Sequence, residues 1–354
     1  MIVAIIEFGK SHDECLLSQI NALAEKKEHV LLICQKDIWN RNRFLEPLVD
    51  DFIPFVTFRS WFKNIKQLLF LRKMLLQKGV ERIVFNTAQG SLVRDFIIIA
   101  PSKIELIGIL HTIKKLENSF TQKTISKKIK KYLVLNKTLY QRANKPNSLK
   151  LDYFYPLEFP STQKAVEKKE GQVWVVVPGE LEQRRKDLFG SLSLMQQAIK
   201  KCPNIQFIFL GKSNPNKPDA QEFLNLFKKH NIRDNLVFFD RFLPVDEFIS
   251  YIQKADFLWP MVHPNTDSAQ EYFSNQISGT INLSFSYNIP LLIHENYRSW
   301  EDFKEFALLY SFSDFLEKLT LAPSQLKDIQ EKLSQESRFA VKTQRKRYYD
   351  FIIS

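Results

Sequence analysis

Cysteine is scarce. Cys15, Cys34 and Cys202 are odd in number, widely separated and show no C-x-x-C spacing, which excludes a disulfide framework and a zinc site and leaves the thiols as buried fillers. Long apolar runs are missing as well. The longest, such as FIIIAP at 96–101 and VWVVVPG at 173–179, are strand-sized and fall far short of the ~20 residues that span a bilayer. No transmembrane helix is expected. The opening MIVAIIEF has no positive leader, is interrupted by Glu7 and lacks a small-residue cleavage site. It reads as a first strand and not as a signal peptide, so a cytoplasmic location is expected. No G-x-G-x-x-G follows any strand candidate, which removes the dinucleotide oxidoreductases. RNP, KH and zinc-finger signatures are absent and the aromatics fall mainly within apolar strands, so no nucleic-acid partner is expected.

Acidic residues are short in one half only. Residues 1–150 hold 26 Lys and Arg against 13 Asp and Glu, while residues 151–354 hold 25 against 26. The net charge of +12 therefore belongs to the first half, a field suited to an anionic membrane face or a phosphorylated substrate.

What is present is a globular composition, 44% hydrophobic with 30 Phe, in 354 residues. That length predicts two domains of roughly 150–200 residues. Short β-branched or aromatic runs alternate with longer periodic ones, the pattern of parallel strands joined by helices in an α/β fold. MIVAIIEF, HVLLICQK, DDFIPFV, RIVFNT, IELIGILHT and YLVLNK are the strand candidates of the first half. QVWVVVPG, IQFIFLG, NLVFFD, ADFLWPM and IPLLIHE are those of the second, with helices around 186–201, 219–230, 245–254, 280–288 and 300–320. Between the halves, LDYFYPLEFPSTQKAVEKKEG, with Pro156 and Pro160, reads as a connector. The last segment, SRFAVKTQRKRYYDFIIS, is amphipathic and able to pack back on the first domain.

In an open parallel sheet, ligands bind beyond the carboxyl ends of the strands. Gly9, Gly179, Gly211 and Gly279 fall at such points, where a missing side chain lets a ligand approach the backbone. After VWVVVP, the loop of Gly179 carries Arg184, Arg185 and Lys186 into a helix; guanidinium forks and an ammonium there suit a diphosphate. Ser278, Gly279 and Thr280 open a later helix, whose unpaired first-turn N–H groups attract anions.

The order of these landmarks resembles the second domain of GT-B glycosyltransferases, in particular family 4. VWVVVPGELEQRRKD, IQFIFLG, LVFFDRFLPVDEFISYIQKADFLWP and SGTINLSFSYNIPLLI follow the family's sequence of motifs over about 120 residues, whereas the N-terminal half agrees only in layout. The resemblance implies two Rossmann-like domains facing a cleft: 1–155 on the acceptor side, 171–335 for the nucleotide-sugar donor, and a C-terminal helix, 336–354, returning to the first. It implies that Arg184 or Arg185, with Lys186, contacts the donor diphosphate. It also implies that Gly279 and Thr280 offer N–H groups to phosphate or ribose, and that Arg241 or Phe242 lies near the base. The family's E-x7-E pair falls here on Gln276 and Ser284, so both carboxylates are missing and only weaker sugar contacts remain.

His111, at the end of IELIGIL, and His12, in GKSHDE after the first strand, are the candidates for orienting a hydroxyl or accepting its proton. His263, in MVHPNTDS, is placed to line the donor-sugar pocket; His29, His230 and His294 read as structural. No D-x-D triplet occurs, so no metal and no cofactor is expected, and charge on the leaving diphosphate falls to Arg, Lys and a helix start. The resulting expectation is a glycosyltransferase taking a nucleotide-diphosphate sugar to a saccharide or lipid-linked acceptor, with retention implied by the family. A degenerate domain that only binds a nucleotide sugar or a partner protein is the alternative. Two basic stretches, SWFKNIKQLLFLRKMLLQK and QKTISKKIKK, suit an anionic membrane face; the first also reads as a packed helix with a solvated basic edge.

Overall fold

The computed structural model describes residues 1–212, 218–229, 233–321 and 323–354; His230 lies outside them. The chain forms two compact units. Unit 1 comprises Met1–Phe159, Asn275–Ile277 and Ala340–Ser354; unit 2 comprises Pro160–Ser274 and Ser278–Phe339.

Unit 1 runs β1 (Ile2–Glu7), α1 (Leu16–Ala24), β2 (His29–Cys34), α2 (Lys36–Arg41), β3 (Asp51–Pro54), α3 (Trp61–Gln77), β4 (Arg82–Phe85), α4 (Ser91–Ile99), β5 (Glu105–Leu110), α5 (Lys114–Asn118), α6 (Phe120–Ile125), β6 (Lys131–Val134), α7 (Lys137–Arg142) and β7 (Lys150–Tyr153). Its sheet has the order β3-β2-β1-β4-β5-β6-β7 with every pairing parallel. β1, β2 and β5 are buried in five of their six residues, as strands covered on both faces by crossover helices must be. The chain builds outward from β1 to β3, then returns to the other side of β1 as β4. That reversal opens a crevice at the carboxyl ends of β1 and β4.

Unit 2 runs β8 (Val173–Pro178), α8 (Leu188–Lys201), β9 (Ile205–Lys212), α9 (Pro218–Lys229), β10 (Leu236–Phe239), α10 (Val245–Gln253), β11 (Phe257–Leu258), α11 (Ala269–Ser274), α12 (Gly279–Tyr287), β12 (Leu291–His294), β13 (Ala307–Tyr310), α13 (Phe315–Leu319) and α14 (Pro323–Gln335). The parallel sheet order is β10-β9-β8-β11-β12-β13. Here the reversal lies between β8 and β11. The final helix, α15 (Val341–Ile353), returns to unit 1, where Tyr348, Phe351 and Ile352 join the core with Ile20 and Leu23 of α1.

The apolar run FIIIA lies largely on α4, and the helix stops two residues short of Pro101, as the steric restriction before proline requires. Two segments differ from the sequence reading. KLDY, inside the expected connector, pairs with β6 as the edge strand β7. ALLY, inside an expected helix, alternates half-buried and buried side chains as edge strand β13, a period of two that a four-residue stretch barely displays.

Candidate functional site

At the reversal point of unit 1, the last residue of β1 is an acid. Glu7 is buried, and its carboxylate accepts from Gly9 N at 2.6 Å, Asn86 Nδ2 at 2.7 Å and Thr87 Oγ1 at 2.6 Å. Burial pushes its pKa up, and these three donors pull it back. A Cβ on Gly9 would lie 2.8 Å from Glu7 Oε1. Gly9 thus makes room for this carboxylate.

Asn86, fully buried after β4, is the hub. Its Oδ1 accepts from Gln19 Nε2 at 2.6 Å, its Nδ2 reaches both Glu7 and the His12 carbonyl at 2.9 Å, and its own carbonyl meets His111 Nε2 at 2.8 Å. A carbonyl only accepts, so His111 Nε2 carries the proton and Nδ1 is left as an acceptor. His12 sits in the left-handed region at φ 69°, an uncommon backbone for a side chain of its size. Its ring stacks on His111 at 3.8 Å between centroids, and its Nδ1 lies 3.5 Å from Glu14. Burial, then the neighbouring His12, lower the His111 pKa to about 3, so that ring is neutral. Burial opposes charge on His12 too, but Glu14, Glu7 and Asp13 outweigh it and raise its pKa.

His12, Glu14 and His111 bring ligand atoms within 4.8 Å of one another. The two rings are tilted by 30°, and the three side chains form an acid–base cluster. Gln276, expected on the donor side, belongs to unit 1: Thr112 bridges it, and Ile113 N donates to Asn275 O at 3.0 Å.

In unit 2, Gly179 follows β8 at φ 91° and so needs to be glycine; Gly211 lies so close that a Cβ would be 2.1 Å from the Gly179 carbonyl. The vacated space is filled by Lys186. Its Nζ would lie 3.4 Å from a Gly179 Cβ, the side chain is 92% buried, and no hydrogen bond or ion pair among the described residues reaches it. Burial, then the charge of Arg185, lower its pKa to about 8. The carboxylates of Glu182 and Glu180 offset these two effects only in part, so the buried ammonium is held at a cost. Arg184 and Arg185 are exposed and turn to Glu182, 3.7 and 3.1 Å away.

The next residue, Asp187, caps α8 through Gly190 N and pairs with His263 Nδ1 at 2.9 Å. His263 is fully buried, and its Nε2 lies 2.5 Å from the Tyr310 hydroxyl. Both ring nitrogens are taken. His263 is therefore a post that fixes Asp187 and the start of α8. Ser284 is fully buried and donates to Ile289 O at 2.6 Å. Arg241 gives its guanidinium to both oxygens of Glu247, at 2.7 and 2.8 Å, so it is committed within the protein. Phe242 beside it is 66% exposed and has no ring partner among the described residues.

The crossover β11–α12–β12 places the start of α12 at the same sheet edge as Gly179. Ser278 caps it, its Oγ accepting from Thr280 N at 3.4 Å. Gly279 has no positive φ, and a Cβ there would meet nothing within 4 Å. The protein itself makes no steric demand for glycine at that position.

No protein-family model matches the chain, and no curated protein matches it by sequence. Solved structures match its fold over nearly the full length. A glycosyltransferase from Rickettsia africae ESF-5 is 10% identical at a TM-score of 0.68, with 99% of this chain and 98% of that one covered. Anabaena HepE in complex with UDP and glucose is 13% identical at 0.67, with the same coverage. The UDP-GlcNAc 2-epimerase from Neisseria meningitidis bound to UDP-GlcNAc is 11% identical at 0.62, with both chains fully covered. The fold is the two-sheet α/β architecture of the GT-B glycosyltransferases. That architecture is shared by the epimerase, so the chemistry has to be argued from the side chains.

Glu7, Glu14, Asn86 and Asp187 were not singled out in the sequence. The signal available for Glu7 was its position, an acid closing an otherwise apolar strand. Asn86 gave none beyond following RIVF.

Proposed function

We propose that this protein is a glycosyltransferase that takes a sugar from a nucleoside-diphosphate donor, UDP-linked as in HepE and the epimerase, to a saccharide or lipid-linked hydroxyl. Cell-surface polysaccharide synthesis is the proposed setting. The observation that carries the reading is Lys186, a buried ammonium at the carboxyl edge of the sheet beside Gly179, whose pKa burial and Arg185 lower further than Glu182 and Glu180 restore it. A diphosphate supplies the close counter-charge that would offset this. The family 4 resemblance of the same segment supports the assignment, as does an open glycine at the start of α12.

The reaction breaks the bond between the sugar anomeric carbon and the diphosphate oxygen, and the diphosphate leaves with the electron pair. Lys186 and the N–H groups of Gly279 and Thr280 meet the negative charge as it grows. Arg184 and Arg185, exposed beside Glu182, add charge from the rim. The acceptor hydroxyl forms the new bond and gives up its proton to a base; the base proposed within unit 1 is His12, which lies against Glu14 and neutral His111. No step requires a metal ion.

The test is a panel of UDP- and GDP-sugars incubated with cell-envelope saccharides and lipid-linked acceptors in EDTA, with nucleotide and glycoside both measured. Nucleotide release matched by new glycoside is expected, at the same rate with or without the chelator. Tight nucleotide binding with no turnover would instead mark a degenerate binding domain. Epimerised nucleotide sugar without a glycoside would replace transfer by epimerisation.

Phe242 is the proposed platform for the base. Stacking on an exposed ring contributes about 1–3 kcal/mol per base, so Phe242→Ala should weaken UDP binding by about 5- to 140-fold. Because the ring is 66% exposed and has no ring partner among the described residues, the melting temperature should change little. Unaltered affinity would remove the residue from the site.

A further inference from the structure

α3 packs on the unit through one side, and its outer side is not uniformly polar. It buries Leu68, Leu71 and Leu75 but leaves Trp61, Phe62, Leu69 and Phe70 exposed, Phe62 by 73% and Phe70 by 66%. Phe62, Lys66, Leu69, Phe70 and Lys73 follow the spacing of one helix stripe. The outer side of α3 thus interleaves apolar and ammonium groups, where a solvated face would be polar throughout.

Neighbouring helices extend the pattern. α4 is tied to α3 by Trp61 Nε1 to Asp95 at 3.3 Å and Arg72 Nε to Ile99 O at 2.8 Å, and Lys128, just past α6, donates to Ala100 O at 3.1 Å. Ile98 on α4 and Phe120 at the start of α6 are exposed by 61% and 81%. Residues 56–131 hold 16 Lys and Arg against 4 Asp and Glu, an excess equal to the charge of the whole chain. The ammonium groups of Lys63, Lys66, Lys73, Lys123 and Lys127 have no ion pair or hydrogen bond among the described residues. Lys131 differs: it is buried and pairs with Glu105 at 2.7 Å, so it is structural.

We propose that this face of unit 1 docks on an anionic lipid surface, with Phe62, Phe70 and Phe120 entering the interfacial layer and the free lysines meeting headgroup phosphates. Protein–protein interfaces are depleted in lysine, whereas interfacial helices pair lysine with aromatic and aliphatic tips. No helix among the described residues is long and apolar enough to cross a membrane, so the contact is peripheral. The inference is independent of the sugar chemistry.

Trp61 supplies the readout. Of the five tryptophans, Trp39, Trp174, Trp259 and Trp300 are buried and Trp61 is 55% exposed. The full chain should sediment with phosphatidylglycerol-containing vesicles and shift its emission to the blue, the shift vanishing in Trp61→Phe. Binding should fall about tenfold or more with phosphatidylcholine alone, or when salt is raised well above 0.1 M, where screening shortens to under about 10 Å. Phe62→Ser, Phe70→Ser and Phe120→Ser combined should keep the melting temperature and lose about tenfold or more of the binding. Absence of binding to phosphatidylglycerol vesicles, or equal binding by the folded triple variant, overturns the proposal. Capture of an acidic protein in place of vesicles also overturns it.

Discussion

Lys186→Met should move two quantities in opposite directions. Nucleotide affinity should fall by about 10-fold or more, because charge-assisted hydrogen bonds contribute about 1.5–3 kcal/mol each and an ammonium held against a diphosphate makes at least one. Thermal stability should rise. Lowering this lysine to about 8 corresponds to about 3 kcal/mol held against the charged form, and the thioether keeps most of the stem while removing that cost. A structural lysine would lose stability on the same substitution. The pH dependence has a definite sign: a bound diphosphate favours the ammonium, so binding draws in a proton near pH 8, and affinity falls as pH rises through that value. Calorimetry of UDP binding from pH 7 to 9 checks both the slope and its disappearance in the variant. A flat profile in the wild-type protein would sever Lys186 from the nucleotide.

Asn86→Leu should be the most damaging single change to unit 1. It removes the donor to Glu7 and the His12 carbonyl and the acceptor of Gln19, leaving a buried carboxylate short of a partner at a cost of roughly 2–5 kcal/mol. For a unit of this size the melting temperature should fall by roughly 5–15 °C. Stability alone does not separate a scaffold from a site, so His12→Asn supplies the second readout. With the His12 pKa raised by Glu14, Glu7 and Asp13, the basic form appears only above the ordinary histidine range, and wild-type kcat should climb with pH there. The variant should fold normally, since the ring is partly exposed, and should lose that rising limb together with about 100-fold or more of the rate. An unchanged pH profile would leave His12 as a loop residue.

The architecture was legible because parallel strands buried on both faces advertise themselves as apolar runs, and eleven of the thirteen strands among the described residues lie in segments recognised as such. The two that were not, KLDY and ALLY, are short edge strands whose assignment depends on the partner that pairs with them. The return of the final helix was legible too, in an amphipathic segment whose Tyr348, Phe351 and Ile352 find the core of α1. The candidate site was legible in position but less so in role. Charged residues were visible, but which are spent inside the protein was not: Arg241 on Glu247, His263 on Asp187 and Tyr310, Ser284 on Ile289. Those pairings join residues 5 to 76 positions apart, and no local pattern encodes the longer of them. Conversely, Lys186 looked like one of three equivalent cations, and only the space created by Gly179 at φ 91° shows it to be the buried one.

A crystal soaked with UDP tests the central claim most directly. The account predicts diphosphate oxygens within about 3 Å of Lys186 Nζ and of the N–H groups of Gly279 and Thr280. A β8 edge that stays empty at saturating UDP, or a diphosphate seated elsewhere with Lys186 still unpaired, would contradict it.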